Sequence, residues 1–545
     1  MSEEITAKSV ALTLIENLRD LGVAHIFGVP SGGWVDFMEA IRNTDGIEFI
    51  LTTHEGAAGF MADVCGRLSG VPGVCFGTFG PGATNLATGV GGANMDRSPL
   101  IALTDEMSKP MRKRVVQMGI DHQALFEPIT KWTTRLDTLN AGCIIQDAAK
   151  VALEGIPGAV HIGMPVDVTA LNALAPPTPV TGENALRYAD KEIVEQAWQG
   201  IARAEKPAMV IGLGAVRAEI ADEIVAFAEK HTMPVFLTPM AKGMISEDHR
   251  LYGGVLFHAL SDQVAETHSQ ADLMIAIGYD PVEFNYENWL KDIPLLNVDV
   301  VPLDIDKKQF ANTLQMEGDI KANLAFLAAG PVGETKWDID ALIARKEAMF
   351  KQMSPKSNEM GPCAVLDILR DVLPDEGIMT CDVGAHTHLI GQKWRTPKPG
   401  TQIMSNGWSS MGFGLPAAIA AKLTKPDVPV CCVVGDGGFL MTAGELATAV
   451  RYNLNIVVLV LTDNDLALIR IKQQRKDNPI YGTPVRETGG TIGGDNIFGV
   501  PVLKAHSESE VEEKLKQAFK TDGPVIVEAF VNSREYDKLV LRKDK

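Results

Sequence analysis

The chain has 545 residues, 46% of them hydrophobic, and a formal net charge of −19 at pH 7. This length is beyond what one hydrophobic core usually serves, so we expect several domains. The acidic balance disfavours nucleic acid and anionic membranes as partners, because both attract basic surfaces.

The chain carries no sign of export or of a membrane anchor. Its opening residues, MSEEITAKSV, are acidic and lack the apolar core of a signal peptide. No run approaches the roughly 18 apolar residues of a membrane span. The cysteines include no CxxC pair, which favours reduced, buried thiols. We therefore expect a cytoplasmic protein.

Residues 1–172 alternate amphipathic helices with short apolar strands. The segment AKSVALTLIENLRDLG has helical spacing, and the predicted strands are VAHIFGV, IEFILTT, GVCFGTF, PLIALT and GAVHIGM. This alternation is typical of a parallel sheet that is covered by helices on both faces.

Two further segments, residues 190–340 and 358–545, repeat the pattern. They follow a Pro-rich linker at 174–190 and the loose stretch FKQMSPKSNEMGP, respectively. Their predicted strands are PAMVIGLG, MPVFLT and ADLMIAIG, then IMTCDVG, VCCVVGDGG, NIVVLVLTD and PVIVEAF. The predicted fold class is therefore α/β, with three doubly wound parallel-sheet domains in series. Ligands of such sheets bind at the carboxyl ends of the strands.

A lone aspartate, Asp436, follows the buried strand VCCVV of the third domain and is flanked by glycines. Further along, Thr442 and Glu445 fit a capping box, so we expect a helix to begin at Thr442 and to run to about Tyr452. Asp436 would then lie in the loop between a strand and a helix.

A second acidic loop, which contains Asp463 and Asp465, follows the next strand, NIVVLVL. Neighbouring parallel strands lie about 4.8 Å apart, so Asp436 and this loop would face one crevice. Mg²⁺ prefers oxygen ligands and usually binds together with a substrate phosphate. We therefore predict that Asp436, Asp463 and Asp465 bind Mg²⁺. The glycines that let the backbone approach the phosphate are Gly435, Gly437 and Gly438. The alternative is an ordinary Gly-Asp-Gly turn.

These motifs resemble those of thiamine-diphosphate enzymes over nearly the whole chain. The GDG motif and the acidic loop resemble that family's metal–diphosphate motif, HEGAAGFMAD its glutamate motif, TFGPGATN its GPGATN loop, and MGFGLPAAIAAK the segment with its apolar wedge. The order of the blocks resembles the acetolactate synthase branch. The segments ALFEPITKW and IGYDPVEFNYENW look most like the FAD-free catabolic acetolactate synthases.

The resemblance implies a role for each predicted domain. Residues 1–172 would bind the pyrimidine of thiamine diphosphate, 190–340 would form the central domain, and 358–545 would bind its diphosphate and Mg²⁺. We do not expect FAD, because the arginine motif of the FAD-dependent branch is missing from GYDPVEF. A homodimer or homotetramer is expected, since each cofactor in this family lies between the pyrimidine domain of one subunit and the diphosphate domain of another.

Glu55 is the predicted catalytic carboxylate. Read alone, it could be a surface glutamate at a helix N-terminus. However, the GAAGFMA that follows it is too small and apolar for a charged surface. A desolvated carboxyl there could share a proton with a ring nitrogen. The resemblance implies that Glu55 does this to the aminopyrimidine of the cofactor, whose own chemistry supplies the electron sink.

The resemblance assigns further cofactor-binding residues. Met411, which could equally fill a core, would support the bent cofactor. His386 would lie near the diphosphate; with His388 it could suggest a metal site, but two ligands are too few. The remaining expected cofactor contacts are Gly80, Asn85 and Gly384.

The sequence does not decide which residue approaches the reacting carbon. The segment VVQMGIDHQALF aligns ambiguously with the family, and it leaves Gln117, Asp121 and His122 open. Gln117 and His122 are our predicted catalytic residues beside Glu55.

The predicted reaction is the decarboxylation of a 2-oxo acid, pyruvate, followed by carboligation to a second carbonyl compound, as in acetolactate synthases. One alternative is a decarboxylase that protonates the intermediate. Another is a carboligase or lyase with an aldehyde or anionic acceptor. Arg470, Lys472 and Arg475 would favour an anionic acceptor, or else they form a solvated helix face. A catalytically silent protein is disfavoured by the intact Glu55 and Asp436.

Overall fold

We describe the protein from a computed structural model that covers residues 8–174, 187–355, 357–487 and 489–540. The acidic opening residues and most of the predicted 174–190 linker lie outside this range. The chain forms two compact units. The first gathers Met1–Glu183, Gly407–Asp427 and Thr442–Leu454, and the second gathers Asn184–Asn406, Val428–Met441 and Asn455–Lys545.

The first compact unit contains a sheet of six parallel strands. They are β1 (His25–Gly28), β2 (Glu48–Leu51), β3 (Gly73–Gly77), β4 (Leu100–Glu106), β5 (Trp132–Arg135) and β6 (Ala159–Pro165). Their order across the sheet is β2-β1-β3-β4-β6-β5. Strands β3, β4 and β6 are buried along their whole length, as a sheet covered on both faces requires.

Six helices follow or connect these strands. They are α1 (Val10–Asp20), α2 (Val35–Arg42), α3 (Glu55–Ser69), α4 (Pro81–Met95), α5 (His122–Phe126) and α6 (Ile144–Leu153). One hydrophobic cluster joins α1, α2 and α6 to the sheet. Helix α1 begins where the Ser9 hydroxyl accepts a hydrogen bond from the Leu12 N–H at 3.1 Å, a typical N-cap.

The second sheet, in the second compact unit, also has six parallel strands. They are β7 (Pro207–Ile211), β8 (Val235–Leu237), β9 (Tyr252–Val255), β10 (Leu273–Ile277), β11 (Leu295–Asp299) and β12 (Thr313–Glu317), in the order β12-β11-β10-β7-β8-β9. The accompanying helices are α7 (Lys191–Arg203), α8 (Leu213–Arg217), α9 (Ala221–His231), α10 (Ser261–His268), α11 (Ile320–Ala328) and α12 (Ile339–Gln352).

The third sheet has seven strands and carries the predicted metal motif. They are β13 (Ile378–Cys381), β14 (Gln402–Met404), β15 (Val430–Gly435), β16 (Ile456–Thr462), β17 (Asn496–Ile497), β18 (Val500–Ala505) and β19 (Val525–Phe530). Their order is β14-β13-β15-β16-β19-β18-β17. All pairs are parallel except β17 with β18, a short hairpin at one edge. This sheet shares a hydrophobic cluster with the second sheet.

The last helices of the chain are α13 (Pro362–Val372), α14 (Ala385–Lys393), α15 (Gly414–Thr424), α16 (Asp436–Thr442), α17 (Leu446–Arg451), α18 (Ala467–Arg475) and α19 (Glu508–Ala518). Two of them, α15 and α17, belong to the first compact unit. There the Cys65 thiol of α3 lies 2.9 Å from the Thr424 hydroxyl of α15.

The predicted fold class is confirmed, because the described residues form three α/β sheets whose strands all pair in parallel except in the β17–β18 hairpin. The strands that pattern analysis missed are β5, β9, β11, β12, β14, β17 and β18, most of them short strands at or next to a sheet edge. All seven cysteines are free, as expected. None of the helices in the described residues is long and apolar enough to cross a membrane.

Candidate functional site

Asp436 lies at the carboxyl end of β15, where the sequence places it, but the local helix differs from the prediction. Helix α16 begins at Asp436 itself. The predicted helix from Thr442 to about Tyr452 is present as a 3₁₀ turn, Ala443–Glu445, followed by α17, but its predicted capping box is wrong, because the Thr442 side chain makes no capping hydrogen bond. The Thr442 hydroxyl donates to the Gly412 carbonyl at 3.2 Å, and Glu445 makes other contacts, described below. Asp436 therefore stands in the first turn of a helix.

The two predicted acidic loops meet at the ends of neighbouring strands. Strands β15 and β16 pair in parallel, with Gly435 opposite Leu461. The Asp436 Oδ2 accepts hydrogen bonds from the Asn464 N–H at 2.6 Å and the Asp463 N–H at 3.3 Å. Its Oδ1 accepts from the Gly437 N–H at 2.8 Å. The carboxylate thus fastens the second loop to the first.

The electrostatics of this pair favour a bound cation. Burial raises the pKa of Asp436 to about 6, although three backbone N–H groups oppose the shift. Burial, together with the negative charge of Asp436, raises the pKa of Asp463 to about 8. Neither carboxylate forms an ion pair with any residue in the described ranges. A buried and a half-buried carboxylate without ion-pair partners are a typical environment for a divalent cation.

The third predicted ligand, Asp465, is partly engaged elsewhere. Its Oδ2 accepts from the Arg470 guanidinium at 2.6 Å, whereas its buried Oδ1 and the buried Oδ1 of Asn464 find no hydrogen-bond partner among the residues that the structure describes. Among the described residues, no three His, Cys, Asp or Glu side chains form a metal cluster by themselves. A cation here would therefore need amide, backbone, water or phosphate oxygens beside Asp436 and Asp463, which is the mixture that Mg²⁺ prefers.

Glycines let the backbone pack closely around the predicted diphosphate residues. A Cβ on Gly438 would lie 2.9 Å from the Asp382 carboxylate carbon, so no side chain fits there. The His386 ring, in the first turn of α14, packs over Gly384 and Gly435. Its buried Nε2 has no hydrogen-bond partner in the described part of the chain, and burial lowers the pKa of His386 to about 4. The structure thus brings these predicted residues to one strand edge.

Glu55 lies in the first compact unit, as the first residue of α3, and its side chain is buried. The Asn85 Nδ2 donates to Glu55 Oε2 at 3.0 Å. A Cβ on Gly82 would lie 3.2 Å from Glu55 Oε1. The predicted surface alternative for Glu55 is wrong, because the carboxylate is enclosed by the start of α4.

Close packing between α3 and α4 holds this arrangement. A Cβ on Gly59 would lie 2.7 Å from the Gly89 Cα, so the two helices touch through their backbones. A larger side chain at either glycine would separate the helices, because protein interiors leave no spare volume. The contact keeps Asn85 against Glu55, and both were predicted to contact the cofactor.

Glu445 is a residue that sequence reasoning did not place at the site. Its buried Oε1 accepts from the Thr53 N–H and the His54 N–H, each at 3.0 Å, and from the Thr53 hydroxyl at 2.6 Å. His54 caps α3, since its Nδ1 accepts the Gly56 N–H at 3.0 Å. Glu445 therefore fixes the turn that leads into Glu55. The capping-box pattern hid this role, because it offered Glu445 a local partner.

The three candidates for contact with the reacting carbon differ in burial. Gln117 is exposed in the 107–121 segment, and Asp121 is exposed and caps α5. His122 is buried. Its Nε2 accepts the Gly80 N–H at 3.3 Å, and its Nδ1 lies 2.9 Å from the Thr104 hydroxyl. Both ring nitrogens are thus engaged within the protein.

Asp105, at the end of β4, is a second buried carboxylate that the sequence did not reveal. Its Oδ2 accepts from the Ser31 hydroxyl and, at 3.4 Å, from the Thr78 hydroxyl. Its Oδ1 is buried without a hydrogen-bond partner in the residues described. Burial raises the pKa of Asp105 to about 6. Since Thr78 follows β3 and lies two residues before Gly80, Asp105 lies at the same sheet edge as Gly80.

Three other positions singled out in the sequence have distinct surroundings. Met411 is half-buried in the turn before α15. Arg470 is buried and binds Asp465 and Asp537, so it is part of the fold rather than of a solvated face. Lys472 is exposed and has no ion-pair partner in the described ranges.

Comparison with known proteins identifies the three sheets. Family models of thiamine pyrophosphate enzymes match the chain in order: the N-terminal TPP binding domain at residues 8–125, the central domain at 194–327 and the C-terminal TPP binding domain at 382–529. The first match contains Glu55 and Asn85, and the third contains Asp436 and Asp463.

Full-length relatives narrow the family. The acetolactate synthase of Bacillus subtilis (strain 168) is 31% identical over 98% of this chain and 94% of its own length. Isozyme 2 large subunit of acetolactate synthase from Escherichia coli (strain K12) is 29% identical, over 96% and 95%. The catabolic acetolactate synthase of Raoultella terrigena is 28% identical, also over 96% and 95%. The chain therefore belongs to the acetolactate synthase family of thiamine-pyrophosphate-dependent enzymes.

Proposed function

We propose that the protein decarboxylates pyruvate with thiamine diphosphate and Mg²⁺ and ligates the two-carbon fragment to a second carbonyl compound, giving acetolactate when that acceptor is pyruvate. The observation that carries the cofactor assignment is the uncompensated carboxylate pair Asp436–Asp463 at neighbouring strand ends. The choice of substrates is supported by the activity that the relatives' names state.

Asp436 and Asp463 would hold Mg²⁺, with the free oxygens of Asn464 and Asp465 available to it or to its waters. The cation would neutralise the diphosphate, which the glycines beside Asp436 let approach the backbone. His386, neutral because burial lowers its pKa, can donate or accept a hydrogen bond there without adding charge.

Glu55 would hold a proton shared with the aminopyrimidine. Its enclosure by small residues of α3 and α4 keeps water away, and Asn85 holds Oε2, which leaves Oε1 for the ring nitrogen. Thiamine diphosphate, when bound, supplies the electron sink that decarboxylation of a 2-oxo acid requires. Asp105, with its raised pKa and unpaired Oδ1, is suited to proton exchange near neutral pH.

Lys472 favours a second candidate function, carboligation to an anionic acceptor other than pyruvate. Burial lowers the pKa of His388 to about 4, and the charge of Lys472 adds to that shift, so the ammonium lies within electrostatic reach of that ring. Because Lys472 has no ion-pair partner in the described part of the chain, it can meet a carboxylate of the acceptor. Arg470 cannot, since it is bound to Asp465 and Asp537.

Incubation with pyruvate alone separates these reactions. We expect one half carbon dioxide and one half acetolactate per pyruvate consumed, measured by NMR of the products, because only one of each two pyruvates is decarboxylated and the other is the acceptor. Accumulation of acetaldehyde would contradict ligation and support simple decarboxylation. Carbon dioxide and product only after a second carbonyl compound is added would support the alternative acceptor.

Glu55→Gln tests the activating carboxylate. The amide keeps the shape of the side chain but cannot share a proton, so we expect the cofactor to bind and its C2 proton to exchange about 10²–10⁴-fold more slowly, which is the usual range of general acid–base catalysis. NMR in D₂O measures the exchange. Glu48→Gln, on the exposed end of β2, is the matched control and should exchange as the parent does. An unchanged exchange rate in Glu55→Gln would refute the role.

We also propose a homodimer or a dimer of dimers, in which Glu55 of one chain serves the diphosphate residues of its mate. Mixing Glu55→Gln chains with Asp436→Ala chains, each inactive alone, should restore activity, because half of the re-paired dimers contain one intact site of two. Recovery should approach roughly a quarter of the parent activity. Activity that stays absent after verified subunit exchange would place both residues of a site in one chain.

A further inference from the structure

A chain of buried hydrogen bonds runs inward from Gly80, the residue before α4. The Gly80 N–H donates to His122 Nε2 at 3.3 Å. His122 Nδ1 lies 2.9 Å from the Thr104 hydroxyl, which lies 2.7 Å from His161 Nε2. His122 and His161 are buried, and Thr104 lies between their rings on β4.

The same chain continues to an ion pair. His161 Nδ1 lies 2.7 Å from the Thr133 hydroxyl, which donates to Gln123 Oε1 at 2.9 Å. Gln123 Nε2 donates to Glu106 Oε1 at 2.8 Å, and Glu106 also binds the Arg135 guanidinium. We call the residues from His122 to Glu106 the relay: His122, Thr104, His161, Thr133, Gln123 and Glu106.

At the Gly80 end of the relay, the backbone N–H fixes the direction of the first hydrogen bonds. The Gly80 N–H can only donate, so His122 Nε2 must carry a lone pair. A neutral His122 then bears its proton on Nδ1 and donates to Thr104. The Thr104 hydroxyl has one proton left to give, and it donates to His161 Nε2.

At the Glu106 end of the relay, the carboxylate independently fixes the same direction, in which each group donates to the next from His122 towards Glu106. Glu106 only accepts, so the Gln123 amide presents NH₂ to it and to the Thr134 carbonyl at 3.0 Å. Gln123 Oε1 therefore accepts from Thr133, and Thr133 must accept from His161 Nδ1. Both ends require His161 to be protonated on Nδ1 and to accept at Nε2.

The two histidines are suited to stay neutral. Burial lowers the pKa of His122, and it lowers the pKa of His161 well below the ordinary value. Glu106 and Asp121 oppose the shift of His122, and Arg135 adds to the shift of both rings. A charged His122 would present a donor to the Gly80 N–H, which a buried site does not tolerate.

The relay acts on a strained point of the site. Gly80 has a φ of 47°, and a Cβ there would lie 2.8 Å from the Met118 carbonyl oxygen. Helix α4 begins at the next residue, and its second turn carries Asn85, which donates to Glu55. The N–H held by His122 therefore sets where α4 starts and where Asn85 meets Glu55.

We propose that Thr104 and His161 are positioning residues, which fix His122 in the Nδ1-protonated tautomer so that its Nε2 holds Gly80 and keeps Asn85 against Glu55. His122 then acts through the loop rather than on the substrate. The effect on catalysis rests on the proposed function, whereas the tautomer does not.

Thr104→Val and Thr104→Ser form a matched pair, because valine keeps the shape and removes the hydroxyl while serine keeps the hydroxyl. ¹⁵N NMR of the cofactor-free protein with ¹⁵N-labelled histidine reads the tautomers, with the two rings assigned from His122→Gln and His161→Gln. We expect both rings to be protonated only on Nδ1 at neutral pH. In Thr104→Val the His122 signal should show mixed tautomers, and in Thr104→Ser it should be unchanged.

The kinetic effect should follow the tautomer. In Thr104→Val we expect kcat to fall on the order of tenfold, the consequence of one buried donor left unpaired, while the cofactor Kd changes little. Thr104→Ser should restore kcat. If Thr104→Val fails to fold, Thr133→Val breaks the relay between His161 and Gln123, with Thr133→Ser as its matched control. The same ¹⁵N signals of the two histidines are then measured.

Three outcomes would overturn the proposal. One is a proton on Nε2 of either ring, or a charged ring, in the parent protein at neutral pH. The second is that His122 keeps the parent tautomer in Thr104→Val. The third is that His122 shows mixed tautomers in Thr104→Val while kcat stays unchanged. A parent that shows the expected tautomers yet forms no product from any 2-oxo acid would instead refute the proposed function and leave the relay's direction supported.

Discussion

The carboxylate of Asp436, which accepts the N–H groups of Asp463 and Asn464, is the constraint on which the predicted metal site depends. It exists because β15 and β16 are neighbours in a parallel sheet, so that both strands end at one edge. The arrangement places a buried carboxylate beside a half-buried one, and the charge of Asp436 raises the cost of charging Asp463. Such a pair, without an ion-pair partner in the described residues, supports the proposed cation site.

The pyrimidine-side residues depend on a different constraint, the backbone contact between α3 and α4. Gly59 and Gly89 let the helices touch, which brings Asn85 to Glu55 and encloses the carboxylate. Glu445 secures the turn before Glu55, and the relay secures the loop before α4. Both helix starts are thus held by buried side chains, as preorganised acid–base chemistry requires.

Sequence alone predicts the fold class and the residues whose roles are set by local context. Asp436 follows the buried strand β15, Glu55 follows the short strand β2, and both precede small residues, so their positions after strand ends can be inferred from one segment each. Pattern analysis misses β5 because it is a half-buried edge strand with two threonines and an arginine among its four residues, and it misses β9 because two of that strand's four residues are glycines. It also assigns the wrong partner to Glu445, because a capping box considers only neighbours in the sequence, whereas Glu445 accepts hydrogen bonds from the distant residue Thr53.

The relay lies beyond sequence reasoning for a different reason. Thr104, His122, Thr133 and His161 come from four separate elements, and each has an ordinary role as a lone buried polar residue. Only the sheet order β4-β6-β5 brings three of them side by side. The direction of the hydrogen bonds is set by the Gly80 N–H and the Glu106 carboxylate at the two ends of the relay, so no single segment of the sequence reveals it.

Proton release on Mg²⁺ binding tests the central claim most directly, because metal binding requires deprotonated carboxylates. With a pKa of about 8, Asp463 is mostly protonated at pH 7 in the metal-free protein. Calorimetric titration of Mg²⁺ with thiamine diphosphate, in buffers of different ionisation enthalpy, should therefore show release of roughly one proton per site. Asp463→Asn should abolish this release. Cofactor binding that needs no Mg²⁺ and releases no proton in the parent would contradict a metal site at Asp436 and Asp463.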